Sequence, residues 1–215
     1  MKNTTNYSLS LLDCLQTYLA RKVEFKDKLR VINSVGGCDV YYHNDYAYCC
    51  VCILSFRKLY LIKKIIIKVK ISFPYLTGYF CFREGPPILK AISKLTEKPD
   101  CFLIDGNGIL HPRGMGLANF IGIFTKSPTI GCAKSLLLGH YKEPDSFKGS
   151  SSCIRYKKRT IGLALRTKDN VKEVFISVGW GISLTKAKEV VLKTSRYRIP
   201  EPLRLAHYFA KTLKK

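Results

Sequence analysis

"VINSVGGCDVYYHNDYAYCCVCILSFRKLYLIKKIIIKVKI" spans residues 31–71 and contains three consecutive strand-like stretches, about 31–41, 46–56 and 59–71. The third is dense in β-branched residues, which suit a pleated surface, with lysines interrupting them. Within the second, "YAYCCVCIL" (46–54) is the longest apolar run of the chain. It is about half of the roughly 20 residues a membrane span requires, so it reads as a buried strand.

Outward from this block the pattern changes. Before it, Leu9, Leu12, Leu15, Tyr18 and Leu19 fall on one face of a helix over 8–22. After it, "EGPPILKAISKLT" reads as a helix with Pro86 and Pro87 in its first turn, where a missing N–H costs nothing. A short strand "CFLID" (101–105), a Gly-rich loop, a helix near 115–125, a strand near 128–132 and a helix near 134–139 follow. Residues 142–160, with "KGSSS" and "RYKKR", read as a polar loop. Strands near 161–166 and 173–178, a helix over 183–195 and a basic helix from about 201 complete the chain. Three strands followed by alternating helix and strand predict an α/β class, a mixed sheet with helices on its faces, in a single domain over 1–215.

Charge narrows the function. The 37 Lys and Arg against 15 Asp and Glu give a formal +22, so the natural partners are polyanions, either nucleic acid or an anionic membrane. Asp13 and polar neighbours break the apolar stretch that a signal peptide needs. A soluble, cytoplasmic protein is expected. The nine cysteines form no pair of CxxC motifs, and Cys49 and Cys52, the one CxxC spacing, sit inside the apolar run. They read as core thiols in a reducing compartment, with Cys50 and Cys52 on one strand face and Cys49 on the other.

In so basic a chain each acid near a strand end carries weight. Asp39 closes "VGGCD", Asp105 closes "CFLID", and Glu84 heads the predicted helix. Singly, each has an ordinary reading: a turn for the aspartates, a favourable helix dipole for Glu84. Together, two strand ends and a helix start can converge on Mg²⁺, a hard cation that takes a few carboxylates plus phosphate oxygens. A basic surface around an acidic pit then suggests a nuclease. "DGNG" (105–108) and "HPRGMG" (111–116) suit close backbone approach to a ligand, but neither follows GxGxxG or the P-loop pattern, which excludes a nucleotide cofactor. His111 either orders its loop or touches substrate. Lys134, in "GCAKS" after a predicted strand, is either a solvated charge or a phosphate holder.

These stretches resemble the endonuclease V family, the deoxyinosine 3′ endonucleases, from about residue 8 to 207. The resemblance is carried by "GCDV" (37–40), "PYLTGYFCFREGP" (74–86), "PDCFLIDGNGILHPRGMGLA" (99–118), "SPTIGCAKSLL" (127–137) and "YRIPEPLRLA" (197–206). It implies an RNase H-like fold and Mg²⁺-dependent cleavage (Mn²⁺ as a substitute) of the second phosphodiester bond 3′ to a hypoxanthine. The family's metal-binding acids fall on Asp39, Glu84 and Asp105, and its catalytic lysine on Lys134. Its wedge falls on Pro74, Tyr75, Leu76, Thr77 and Gly78. Substrate contacts are expected from these five and from Phe80, Gly106, Gly108, His111, Arg113, Gly116, Ala133 and Leu137.

Two departures from the family pattern stand out. "VGWGISL" (178–184) sets Trp180 where many members carry a histidine near a second metal, which predicts one ordinary Mg²⁺ site and a poor second one. Indole donates one N–H and cannot ligate a metal, so Trp180 is expected to pack or stack. Thr77 replaces a common proline and leaves the wedge less stiff. The expected partner is inosine-containing DNA, met by a monomer. An endoribonuclease acting at inosine in RNA, or a non-catalytic nucleic-acid binder on the same scaffold, are the alternatives.

Overall fold

The structure, a computed structural model, describes residues 8–29 and 31–212. The outermost residues of the domain expected over 1–215 lie outside them. Three antiparallel strands open the fold: β1 (Ser34–His43), β2 (Tyr46–Ser55) and β3 (Leu61–Lys70). The β1–β2 turn passes through Asn44 in the left-handed region, which Asn tolerates better than most residues. β4 (Cys101–Asp105) and β5 (Thr129–Ala133) then add in parallel beside β1. β6 (Ser151–Tyr156), β7 (Arg159–Leu165) and β8 (Val174–Trp180) complete the sheet in the order β3-β2-β1-β4-β5-β8-β7-β6. One mixed eight-stranded sheet of RNase H-like arrangement results.

Helices cover both faces. α1 (Leu9–Ala20), α2 (Phe80–Ile92) and α3 (Leu117–Thr125) pack on one, around Cys38, Cys49, Phe102, Ile104 and Ile88. α4 (Leu184–Thr194) and α5 (Glu201–Thr212) pack on the other, around Cys50, Cys52, Leu103, Ile176 and Leu203. Burial on both sides explains why β2 reads as an unbroken apolar run rather than an alternating one. Cys49 and the pair Cys50 and Cys52 do face opposite clusters, and seven of the nine cysteines are buried. Among the described residues no helix is long and apolar enough to cross a membrane.

Three local expectations are corrected. Residues 134–139 form no helix, only turns leading to a bridge between His140 and Arg155. Part of the supposed loop 142–160 is β6, which pairs with β7 through a tight turn carrying Lys157 and Lys158 in the left-handed region. α2 begins at Phe80, so Pro86 and Pro87 lie inside it rather than in its first turn. Each proline forfeits one helical hydrogen bond, normally a costly change, and the buried apolar face around Ile88 holds the segment in place. Glu84 is therefore carried within a helix, not at its head.

Candidate active site

Register brings the strand acids together. Cys38 pairs with Ile104 across the parallel β1–β4 ladder, so Asp39 and Asp105, each one residue further on, share a level. Neighbouring residues of adjacent strands share a face, and the spacing between strands is about 4.8 Å. Asp105 in turn pairs with Cys132 on β5, and Lys134 lies two residues beyond Cys132, on the same face. Lys134 Nζ stands 2.5 Å from Asp105 Oδ2. Glu84 reaches this spot from α2, the helix on the opposite face of the sheet.

The carboxylates feel one another. Burial pushes Asp39 above the usual carboxylate range, Asp105 adds to that, and His207 opposes it. Burial drives Glu84 well up, with Asp39 and Asp105 both adding to the effect and Tyr42 and Arg83 opposing it. Burial alone disfavours the Lys134 ammonium, yet Asp105 beside it outweighs that and the lysine is held above its ordinary value. The Tyr42 hydroxyl is driven up by burial, with Glu84 adding to the effect and Arg83 opposing it. Such a set of acids is unfavourable while charged and unaccompanied. Its hard oxygen donors suit a divalent cation of the Mg²⁺ type. Among the described residues no three His, Cys, Asp or Glu side chains are already gathered as a cage. Instead Lys134 holds Asp105 and His207 holds Asp39.

His207 is the residue that the sequence reading missed. Its Nδ1 lies 2.7 Å from Asp39 Oδ2, and because the carboxylate accepts, Nδ1 carries the proton. Gly37 makes this possible: a Cβ there would sit 2.2 Å from the backbone of Pro202, so only glycine lets the start of α5 approach β1. The histidine was within reach of sequence reasoning, being one of four in the chain and the residue directly after the "YRIPEPLRLA" block. Trp180, by contrast, pairs with Thr129 at the start of β5, the end of that strand away from Ala133. It is buried and donates Nε1–H to the Lys22 carbonyl at 3.2 Å. It packs, as expected, but it does not stand in for a histidine of the acid site; that histidine is supplied by α5.

Beside the acids lies a cleft of about 260 Å³. Tyr75, Leu76, Thr77, Gly78 and Phe80 form one wall, and Gly106, His111, Gly116 and Leu137 line the remainder with Asn107. Pro74 lies exposed at the start of the wedge loop. Tyr75 is 66% exposed and meets Phe80 edge-on, ring centres 6.3 Å apart. Gly78 turns the loop at φ +82°, a conformation that favours glycine. Its carbonyl accepts from Arg113 Nη2 at 2.7 Å, His111 Nε2 at 3.1 Å and Gln16 Nε2 at 3.1 Å. His111 Nδ1 accepts from the Arg113 amide, a pattern that requires the neutral ring. Burial and the Arg113 charge lower His111 to about 4, in keeping with that. Of its two readings, loop ordering is realised, and the ring also lines the cleft. Arg113 braces the loop in the same way and pairs with Asp13 at 3.1 Å.

Gly108 and Ala133, both among the expected substrate contacts, do not line this cleft. A Cβ on Gly108 would sit 2.0 Å from the Val178 carbonyl, so this glycine serves close packing on β8. Ala133 is buried in a small cluster with Leu110, Ile154 and Phe175. A larger hollow of about 760 Å³, between Phe25, His111 and Tyr156, contains none of the acids.

Asp39 inside β1 rather than at its end, Asp105 at the end of β4 and Glu84 on α2, with Lys134 beside Asp105 in a strongly basic chain, define a nuclease of the RNase H-like fold. The comparisons agree. The sequence profile of the Endonuclease V family matches residues 17–208. The "Endonuclease V" of Dictyoglomus turgidum is 46% identical over 200 residues, covering 93% of this chain and 88% of the relative. The solved Endonuclease V of Streptomyces avermitilis superposes with a TM-score of 0.91 at 31% identity, covering 99% of this chain and 96% of that one. The Ciona intestinalis Endonuclease V, solved with a 24-mer DNA containing an inosine followed by a ribo-adenosine, gives 0.86 at 29% identity over 95% and 97% of the two chains. The chain belongs to the Endonuclease V family.

Proposed function

We propose that this protein is a cytoplasmic, monomeric repair endonuclease that nicks DNA at the second phosphodiester bond 3′ to a deoxyinosine. The observation that carries this reading is the cleft between the wedge loop and Gly106, whose lining includes Gly106, the residue after Asp105, and Ser135, the residue after Lys134. A base inside a stack must be unstacked to be read, at a cost of a few kcal/mol. Tyr75, exposed at the tip of a loop that Arg113 and His111 hold firm, is placed to fill the gap left behind.

Asn107 lines the cleft, and its Oδ1 is buried without a partner. It offers an acceptor to the N1–H of hypoxanthine, which adenine lacks. Guanine also carries N1–H, but its 2-amino group needs extra room. Asp39, Glu84 and Asp105 would hold Mg²⁺, or Mn²⁺ in its place. The bound ion would activate water and stabilise phosphate charge. Lys134 is a point charge for a phosphate oxygen, and His207 keeps the Asp39 carboxylate oriented.

The test is an oligonucleotide with one deoxyinosine, incubated with and without Mg²⁺, with the nick mapped, alongside matched adenine, guanine and inosine-RNA strands. Equal cutting of the adenine strand would dispose of the reading, and faster cutting of RNA would move it to an endoribonuclease. Asp105→Ala is expected to abolish cutting while leaving binding measurable.

A further inference from the structure

β1, β2 and β3 run on past the acids. Asp39 lies level with the end of β4, yet β1 continues four residues to His43, about 13 Å at the rise of a strand. The ladders place Tyr41 and His43 on the Asp39 face, beside Tyr48 and Tyr46 of β2 and Lys68 and Lys70 of β3. Lys64, opposite Cys52, shares that face. From Tyr46 to Arg83 the chain carries seven Lys and Arg and no Asp or Glu; Asp45, in the turn before it, is the nearest acid on that side.

Two of these lysines sit over aromatic rings. Lys68 Nζ lies 4.1 Å from the centre of the Tyr46 ring and 5.5 Å from that of Tyr48, and Lys64 Nζ lies 4.2 Å from that of Phe209 on α5. A lysine stem is flexible, and a ring under its ammonium fixes it in place while leaving it charged. All three lysines are exposed.

The placement of these features about the sheet gives the surface a direction. The base cleft, between the segment after β3 and the loops after β4 and β5, borders the α2–α3 side of the sheet through Cys81, Met115 and Leu117, whereas Asp39, Asp105 and the lysines lie on the other face. Resting on the proposed function, in which the cut lies 3′ to the base held in the cleft, we infer that Lys64, Lys68 and Lys70 bind the phosphates of the strand leaving the site on the 3′ side of the cut. Lys64 to Lys70 is six residues of β3, about 20 Å at the rise of a strand, enough for about six nucleotides at 3.4 Å of duplex rise per residue. Lysines also guard exposed edge strands against pairing, and β3 is such an edge. That role alone predicts no dependence on the nucleic acid.

The experiment measures metal-free binding by fluorescence anisotropy, using single strands with one deoxyinosine and either a short strand on both sides, eight extra nucleotides 3′ of the cut, or eight extra 5′ of the lesion. Wild type should bind the 3′-extended strand more tightly than the short one. K64Q/K68Q/K70Q should lose about tenfold on the 3′-extended strand only, with a salt slope shallower by about 2 for three phosphates. K64R/K68R/K70R should restore it, and thermal melting separates a folding defect from a binding one. Equal loss on all three strands, no loss, or a wild type indifferent to 3′ length would overturn the inference. Matched adenine strands keep the two readings apart: a wild type without inosine preference sinks the proposed function, whereas absent 3′ dependence sinks only this one.

Discussion

His207 Nδ1 and Asp39 Oδ2 meet at 2.7 Å across 168 positions of chain. The contact ties the last helix to the first strand at the level of the acids. A carboxylate in this setting is both charged and mostly buried, and the imidazole N–H is what fixes its rotamer.

His207→Ala should therefore weaken the site without unfolding the protein, since the histidine is half exposed. Partners that orient a metal-ligating carboxylate are generally worth about 10- to 100-fold in metal affinity or activity. Titrating cleavage against Mg²⁺ should show a rightward shift of that order, with partial recovery in His207→Gln, which keeps a donor. An unchanged Mg²⁺ curve would assign the contact to stability alone.

Glu84 predicts a pH effect of known sign. Its folded carboxyl is held above the unfolded value by burial and by Asp39 and Asp105, so the folded state binds the extra proton. Its contribution to stability then falls as pH rises from the unfolded value of about 4.3 through the raised one. Metal-free Glu84→Gln should melt above wild type at pH 8, and the gap should close toward pH 4. Melting curves across that range decide it; a gap that widens on acidification would contradict the burial argument.

Tyr75 is exposed and makes one edge-on ring contact, so Tyr75→Ala should change stability by no more than about 0.5 kcal/mol. Its loss should be felt in duplex cleavage, where unstacking is costly, by about tenfold or more, and far less on single strands, where stacking is weaker. Comparing kcat/KM on the two substrates is the measurement.

Asn107→Ala removes the unpartnered acceptor of the cleft. Cleavage at inosine should drop by about 5- to 30-fold, the worth of one hydrogen bond of roughly 1–2 kcal/mol, and the margin over adenine should shrink with it. A variant that loses rate equally on every base would make Asn107 a loop residue, not a reader.

Much of this molecule was legible in its sequence. The apolar runs of β1 and β2, the β-branched β3 and the "CFLID" strand announced a sheet, because burial on both faces leaves long hydrophobic segments that no surface element shows. The acids Asp39, Glu84 and Asp105 stood out because a chain so rich in lysine leaves few carboxylates to choose from. The misses have physical causes. Pro86 and Pro87 pointed to a helix start, and tertiary packing of Ile88 overrode that local preference. β6 was hidden in polar residues because it is the far edge of the sheet, with little of it buried.

What the chain order could not supply was proximity. Periodicity reports which face of an element is apolar, but not which element lies against it, so nothing local joins His207 to Asp39 or Arg113 to Gly78. The first exists because a glycine gap at Gly37 lets α5 approach β1, the second because the loops after β3 and β4 pack together. Sequence settled which chemical groups this protein owns; the packed structure decided which of them meet, since contact between residues far apart in the chain depends on the closure of the whole fold.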